Sequence, residues 1–264
     1  MALRASIGQY YSASSPIHRL DPRVKVAVAI LFMISCFFIH SLATLALAAT
    51  AVLAAVVSAR VPLGRLLSQL KPIALFLVIT SLVNLFFVQT GDVLASWGPI
   101  RLHAGGLEAA LLYTIRFFLL LLAGSLLMLT TTPTALTDAL EHLFSPLERL
   151  GVPVRQASTI LGIALRFVPT LSREAENIIA AQTARGADLE GKDALAYARA
   201  CVPLVVPLFS SALRHADNLG RAMDARCYMS GPVRTHYREL KLSVRRDGPF
   251  IALALAYAIA LLLL

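Results

Sequence analysis

Apolar residues in this chain fall into long blocks, and the polar residues gather between them. Residues 24–39, 42–59, 72–88, 107–129 and 249–264 are each nearly free of charge. Apolar runs of this kind predict helices that cross a bilayer. His40-Ser41 separates the first two blocks, so they read as a tight helical hairpin. The last block has only 16 residues, about 24 Å of helix at ~1.5 Å per residue. It can still span if the basic run 241–246 lies at the headgroups. Residues 89–106 hold five glycines or prolines and read as a loop.

Residues 132–248 carry a different pattern, in which apolar positions recur at helical spacing on an otherwise polar chain. Thr132-Pro133 suits a helix start, followed by Leu136, Leu140, Leu143, Phe144 and Leu147. Ser145-Pro146-Leu147-Glu148 has capping-box spacing, and Gly151 with Pro153 breaks the run. A second helix is predicted over 154–185, with Ile160, Ile163, Phe167, Leu171 and Ile178 on one face. Its polar face carries Arg166, Arg173, Glu174 and Glu176, and Gly186 suits the position after its end. A third is predicted over 193–227, bent near Pro203 and Pro207. The apolar stretches 157–171 and 200–213 fall short of a span. They read as buried or interfacial helix faces, with a membrane-dipping hairpin as the alternative.

Charge distribution orients this pattern. The chain is 58% hydrophobic with 24 Lys+Arg, and its mean hydropathy of +0.73 excludes an ordinary soluble domain. Four of the basic residues lie in 1–25, three in 60–71 and fifteen in 132–248, leaving Arg101 and Arg116 elsewhere. The positive-inside rule then puts residues 1–23 and 132–248 in the cytoplasm and the C-terminus outside. Twelve of the fifteen acids also fall in 132–248, so that block nets only 15 − 12 = +3, which argues against nucleic-acid binding. The expected organisation is a cytoplasmic segment 1–23, a four-helix membrane region 24–131, a cytoplasmic block 132–248 and a final span 249–264. The fold class is an all-α integral membrane protein with about five transmembrane helices.

Catalytic chemistry finds no foothold. The three cysteines, Cys36, Cys201 and Cys227, fit neither a disulfide framework nor a zinc site, and Cys36 and Cys201 read as small buried residues. The six histidines are scattered, with His18 and His40 at expected membrane edges. Residues 186–192 open like a phosphate-binding loop, but Asp193 stands where Ser or Thr should hold magnesium. They read as a polar turn between helices. Arg116 lies inside a span and is read as a structural pair or a snorkelling side chain, with a substrate path as the alternative. Asn84 reads as an interhelical hydrogen bond. More suggestive are two arginines flanked by small residues near helix ends, in Ala184-Arg185-Gly186 and Ala225-Arg226-Cys227. A guanidinium so placed can enter a partner's groove without bulky neighbours.

These motifs, with Ser-Pro-Ile-His-Arg-Leu-Asp-Pro-Arg at 15–23, Leu-Arg-Phe-Val-Pro-Thr at 165–170 and Pro203/Pro207, give the whole chain a resemblance. It resembles the transmembrane T component of energy-coupling factor transporters, of the EcfT type, kin to the cobalt/nickel and biotin homologues. The resemblance implies that 132–248 is a block of coupling helices. Ala184, Arg185, Gly186, Ala225, Arg226 and Cys227 would then dock two cytoplasmic ABC ATPase subunits of the EcfA type, with Cys227 departing from the usual glycine. It further implies a substrate-binding membrane S component, interchangeable among several, and uptake of a vitamin, another micronutrient or a metal ion across a bacterial cell membrane. Pro203 and Pro207 would be the hinge. No cofactor is expected on this chain, since ATP and magnesium would sit on the partner ATPases, and membrane lipid would be its other contact. The chain itself would be no enzyme. A conventional importer permease with its own substrate path and an external binding protein is the competing reading; a membrane-embedded enzyme would need acids, histidines or a nucleophile at depth.

Overall fold

The computed structural model describes residues 10–97, 100–187, 194–228 and 242–263. Its contacts divide the chain into two compact units, one holding the membrane helices and the other residues 144–239. In chain order the helices are α1 Pro22–Ser35, α2 Leu42–Ala59, α3 Leu63–Phe87, α4 Ala104–Thr130, α5 Pro133–Phe144, α6 Val154–Ala184, α7 Ala194–Asp224 and α8 Val244–Leu263. Two 3-10 segments, Cys36–Phe38 and Ser145–Leu150, and a hairpin of β1 Val93–Trp97 with β2 Ile100–His103 complete the order.

The membrane unit packs α1, α2, α4 and α8 around a shared apolar core. Its α2 face is Leu45, Ala48, Val52, Val56 and Ala59, spaced three or four apart, with Ala48 and Ala59 fully buried. Small residues there let backbones approach, which matters where lipid offers no hydrophobic drive between helices. The opposite faces stay apolar, as Val57, Leu75, Phe87 and Leu253 show by their exposure. That is the signature of a lipid-facing surface. Among the described residues, α2, α4, α8 and 64–87 of α3 are long and apolar enough to cross a membrane.

The first expected span is the shortest. Its α-helix has 14 residues before the 3-10 turn at Cys36, about 21 Å of α-helix against a hydrocarbon core of about 30 Å. Ser41 then caps α2, because its hydroxyl accepts from Thr44 N and Thr44 Oγ1 accepts from Ser41 N. This is a true capping box with threonine in the usual Glu/Gln position.

Three boundaries differ from expectation. Helix α3 begins at Leu63 and runs through Pro72, so the basic stretch before the apolar run is helical too. Helix α8 begins at Val244 and carries Pro249 inside it, which lengthens the last span to 20 residues. The loop after α3 contains the antiparallel hairpin, with Val93 opposite His103 and Trp97 opposite Ile100. At its base, Gly106 brings α4 against α3. A Cβ there would stand 2.7 Å from the carbonyl oxygens of Leu85 and Val88.

Polar bonds fasten the N-terminal segment to this unit. His18 ring nitrogens meet Ser15 Oγ at 2.7 Å and the Tyr11 carbonyl at 2.9 Å, and burial holds the imidazole below its ordinary pKa. Asp21 caps α1 by accepting from Arg23 N, while its own N–H donates to the fully buried Asp247 of α8 at 3.1 Å. Lys25 Nζ donates to the carbonyls of His18 and Thr130. Every buried polar group named here thus has a partner, as a low-dielectric setting demands.

The second unit consists of the Ser145–Leu150 segment with α6 and α7, the last two being 31 residues each. Neither long helix qualifies as a membrane span. The expected capping box at Ser145 does not form, for Ser145 itself opens the 3-10 segment and no side chain caps it. Glu148 instead accepts from the N–H of Arg155 and pairs with its guanidinium at 3.4 Å. Gly151 ends the segment in the left-handed region at φ 85°, a conformation that L residues with a Cβ resist.

Candidate functional site: two arginine-tipped helix ends

Both long helices of the second unit stop in the same way. At the end of α6, Gly186 N donates to Thr183 O at 2.9 Å and Ala187 N to Gln182 O at 3.0 Å, with Gly186 at φ 86°. At the end of α7, Cys227 N donates to Asp224 O at 2.9 Å and Tyr228 N to Met223 O at 3.0 Å, with Cys227 at φ 55°. Each is a full Schellman motif, which closes the last carbonyls of a helix through one left-handed residue. Arg185 and Arg226 occupy the same position, one residue before the turn. Ala184, Arg185, Gly186, Ala225, Arg226 and Cys227 are all exposed, and neither guanidinium is engaged by another described residue.

Cys227 therefore reproduces the glycine geometry despite its Cβ. The three cysteines are free, with Cys36 buried, Cys201 half-buried and Cys227 exposed, so of the two expected to be buried only Cys36 is fully so. Of residues 186–192, read above as a polar turn, 188–192 lie outside the described residues.

Behind the tips, the helices touch through a polar cluster that periodicity alone does not reveal. Ser211 Oγ of α7 donates to Glu174 Oε1 of α6, and His215 Nε2 lies 3.3 Å from Glu174 Oε2. The Ser211 hydroxyl, followed by His215, holds the Glu174 carboxyl below the usual range. The His215 ring also packs on Phe167, centroid to centroid 5.9 Å. Glu174 is legible only as a polar-face residue in the sequence; its partners lie 37 and 41 positions away.

Other candidate residues fall into structural places. Pro203 and Pro207 lie within α7, which continues as one helix through both. They remove the donors to the carbonyls of residues 199 and 203. In the membrane unit, Arg116 Nη2 donates to the carbonyl of Ile39, just after the 3-10 turn that ends α1, and the guanidinium lies over Tyr113. Asn84 donates to Thr80 O of its own helix at 2.8 Å, so the expected interhelical bond is replaced by an intrahelical one. A donor four residues from an open helical carbonyl needs no neighbour to be satisfied. Among the described residues no cluster of His, Cys, Asp or Glu could hold a metal ion.

Far from the tips, toward the start of α6 and in the first half of α7, large apolar side chains stay uncovered by their unit. Ile160, Val202, Val205, Val206 and Phe209 are all more than half exposed. The arrangement offers two charged tips and an apolar flank, the features of a docking element.

Comparison with known proteins agrees with that shape. A family model described as "CbiQ: Cobalt transport protein" matches residues 13–237. The chain belongs to the CbiQ family. It is 42% identical over 257 residues to the "Energy-coupling factor transporter transmembrane protein EcfT" of Heliobacterium modesticaldum, covering 95% of this chain and 96% of that protein. The EcfT of Bacillus subtilis is 37% identical, covering 96% of each. A "Putative ABC transporter ATP-binding protein" of Bifidobacterium longum is 41% identical over 96% of this chain, which spans only 32% of that protein's length. The CbiQ-family chain described here is accordingly a T component of the energy-coupling factor type, a membrane-embedded transporter subunit associated with ABC transport.

Proposed function

We propose that the two arginine-tipped ends dock two cytoplasmic ATPase subunits and pass their ATP-driven motion to a membrane S component. The observation that carries this is the repeated helix end: two different sequences stop in one hydrogen-bond pattern and present at the same place an exposed arginine that no other described residue engages. A surface side chain with no structural task would have no reason to be repeated with its backbone geometry. The Bifidobacterium relative adds support, since it carries a similar segment within a much longer protein named for ATP binding.

In this reading Arg185 and Arg226 are anchors that enter grooves on the ATPase pair, and Ala184, Gly186, Ala225 and Cys227 keep the approach clear. The exposed apolar flank of α6 and α7 cradles the S component, interchangeable among several. Pro203 and Pro207 give α7 two missing hydrogen bonds at which to flex. The S component then reorients and releases a vitamin, another micronutrient or a metal ion inward. Residues 1–23 and 132–248 face the cytoplasm, 24–131 and 249–264 lie in the cell membrane, and the C-terminus is outside. Bond-making stays with the ATPases, which hold ATP and magnesium; this chain binds no cofactor.

The test is co-purification of the tagged chain with its ATPases, together with uptake in proteoliposomes, for Arg185→Ala and Arg226→Ala. Truncating a desolvated interface arginine costs about 2 kcal/mol or more, so each change should loosen ATPase association at least ~30-fold and depress uptake with it. Unchanged association and uptake in both variants would refute the reading. Recovery of an external solute-binding protein in place of a small membrane partner would favour a conventional permease.

A further inference from the structure

We infer that Glu174, held by Ser211 and His215, is the fixed crossing point about which the two tipped helices turn. The inference rests on the coupling role proposed above. Glu174 uses both carboxylate oxygens, one accepting from Ser211 Oγ and the other facing His215 Nε2. Ser211 and His215 are one turn apart on α7, and Phe167 and Glu174 are two turns apart on α6, so each helix offers a single stripe to the other. Ser211 is 5% exposed, while all its described neighbours on α7 are half-buried or exposed. The two helices therefore meet closely here.

The two arms are comparable. Glu174 lies 185 − 174 = 11 residues before Arg185, while Ser211 and His215 lie 226 − 211 = 15 and 226 − 215 = 11 residues before Arg226. The α6 arm is then about 16 Å and the α7 arm about 16–22 Å at ~1.5 Å per residue. Arms of comparable length from one crossing point turn displacements of the two tips into a change of crossing angle.

A polar contact suits this task better than an apolar one. Apolar ridges set register only through the shape of the grooves they fill, whereas a carboxylate gripping two donors adds a directional bond that fixes one register along both helices. Buried polar groups set register in the same way in coiled coils. Without the grip, tip movement would be spent in sliding, and ATP would be hydrolysed without transport. Glu174 is thus a positioning residue for energy coupling.

The experiment uses the complete complex of chain, ATPases and S component in proteoliposomes, and reads substrate imported per ATP hydrolysed. Glu174→Ala and Ser211→Ala should keep ATPase association and hydrolysis while import per ATP falls about tenfold, the scale of one charge-assisted hydrogen bond. Glu174→Gln, which keeps an acceptor oxygen for Ser211, should recover much of the loss. Measured against the coupling ratio of its own background chain (Cys36→Ala, Cys201→Ala and Cys227→Gly), the added pair Glu174→Cys and Ser211→Cys should be uncoupled when reduced. Bridging the two thiols with a short reducible bis-thiosulfonate should restore coupling, because a pivot tolerates being pinned. An unaltered import-to-hydrolysis ratio in Glu174→Ala would overturn the inference, as would a bridged complex less active than its reduced form, or parallel loss of hydrolysis and import. Failure of the docking reading shows separately, as ATPase association that survives Arg185→Ala and Arg226→Ala.

Discussion

Replacing Cys227 with glycine should strengthen the end of α7. Cys227 holds φ 55° so that its N–H and that of Tyr228 can close the carbonyls of Asp224 and Met223. A residue with a Cβ pays about 1–2 kcal/mol in this left-handed region. Glycine pays nothing sterically, but gives up about 0.5–1 kcal/mol more chain entropy on folding. The difference favours glycine by up to about 1.5 kcal/mol, centred on ~0.75 kcal/mol, which slows opening of the last turn by roughly 3–4-fold. Hydrogen–deuterium exchange resolved to the peptide containing Met223–Tyr228 would read the change, with the α6 terminus as internal control. Gly186→Ala gives the mirror test, since Gly186 at φ 86° has open space around it, and only backbone strain of about 1–2 kcal/mol should then appear. Equal or faster exchange in Cys227→Gly would refute the argument, because it would mean the Cys227 side chain stabilises the turn by more than its strain.

Two further outcomes follow from the membrane unit. Arg116→Leu removes the donor to the buried Ile39 carbonyl and should cost about 1–3 kcal/mol, read as a lower unfolding midpoint in detergent; an unchanged midpoint would show that water or lipid serves the carbonyl equally well. The lowered His18 pKa means that the folded chain favours the neutral ring bonded to Ser15 and Tyr11. Its contribution is present above 6.5, the unfolded value, and is lost as pH falls from there through the folded pKa. Exchange protection of the Tyr11–Leu20 segment should therefore fall as pH drops below 6.5 in wild type but not in His18→Gln, and equal behaviour of the two would sink the assignment.

The chain by itself determined which stretches become helices. Leu42–Ala59 was legible to the residue because its apolar run is bounded by a polar pair and a basic turn. The span at 107–129 and the helix at 154–185 were legible to within a few residues. The two arginine tips were visible as well, since small-Arg-small is a local pattern. What local pattern could not show was pairing. Nothing near Ser145 reveals that its capping box stays unmade, because Glu148 turns to Arg155 on the next helix. The hairpin at 93–103 passed as a loop, since the glycines that mark it also suit irregular chain. The identical termination of α6 and α7 depends on Cys227 entering a conformation that its side chain disfavours. Bonds between Asp21 and Asp247, 226 residues apart, and between Glu174 and Ser211 exist only once helices pack. Helix formation follows from hydrogen bonds within a few residues and from the company of apolar side chains. Which buried polar group satisfies which is decided by tertiary geometry, where leaving either one unpaired is costly.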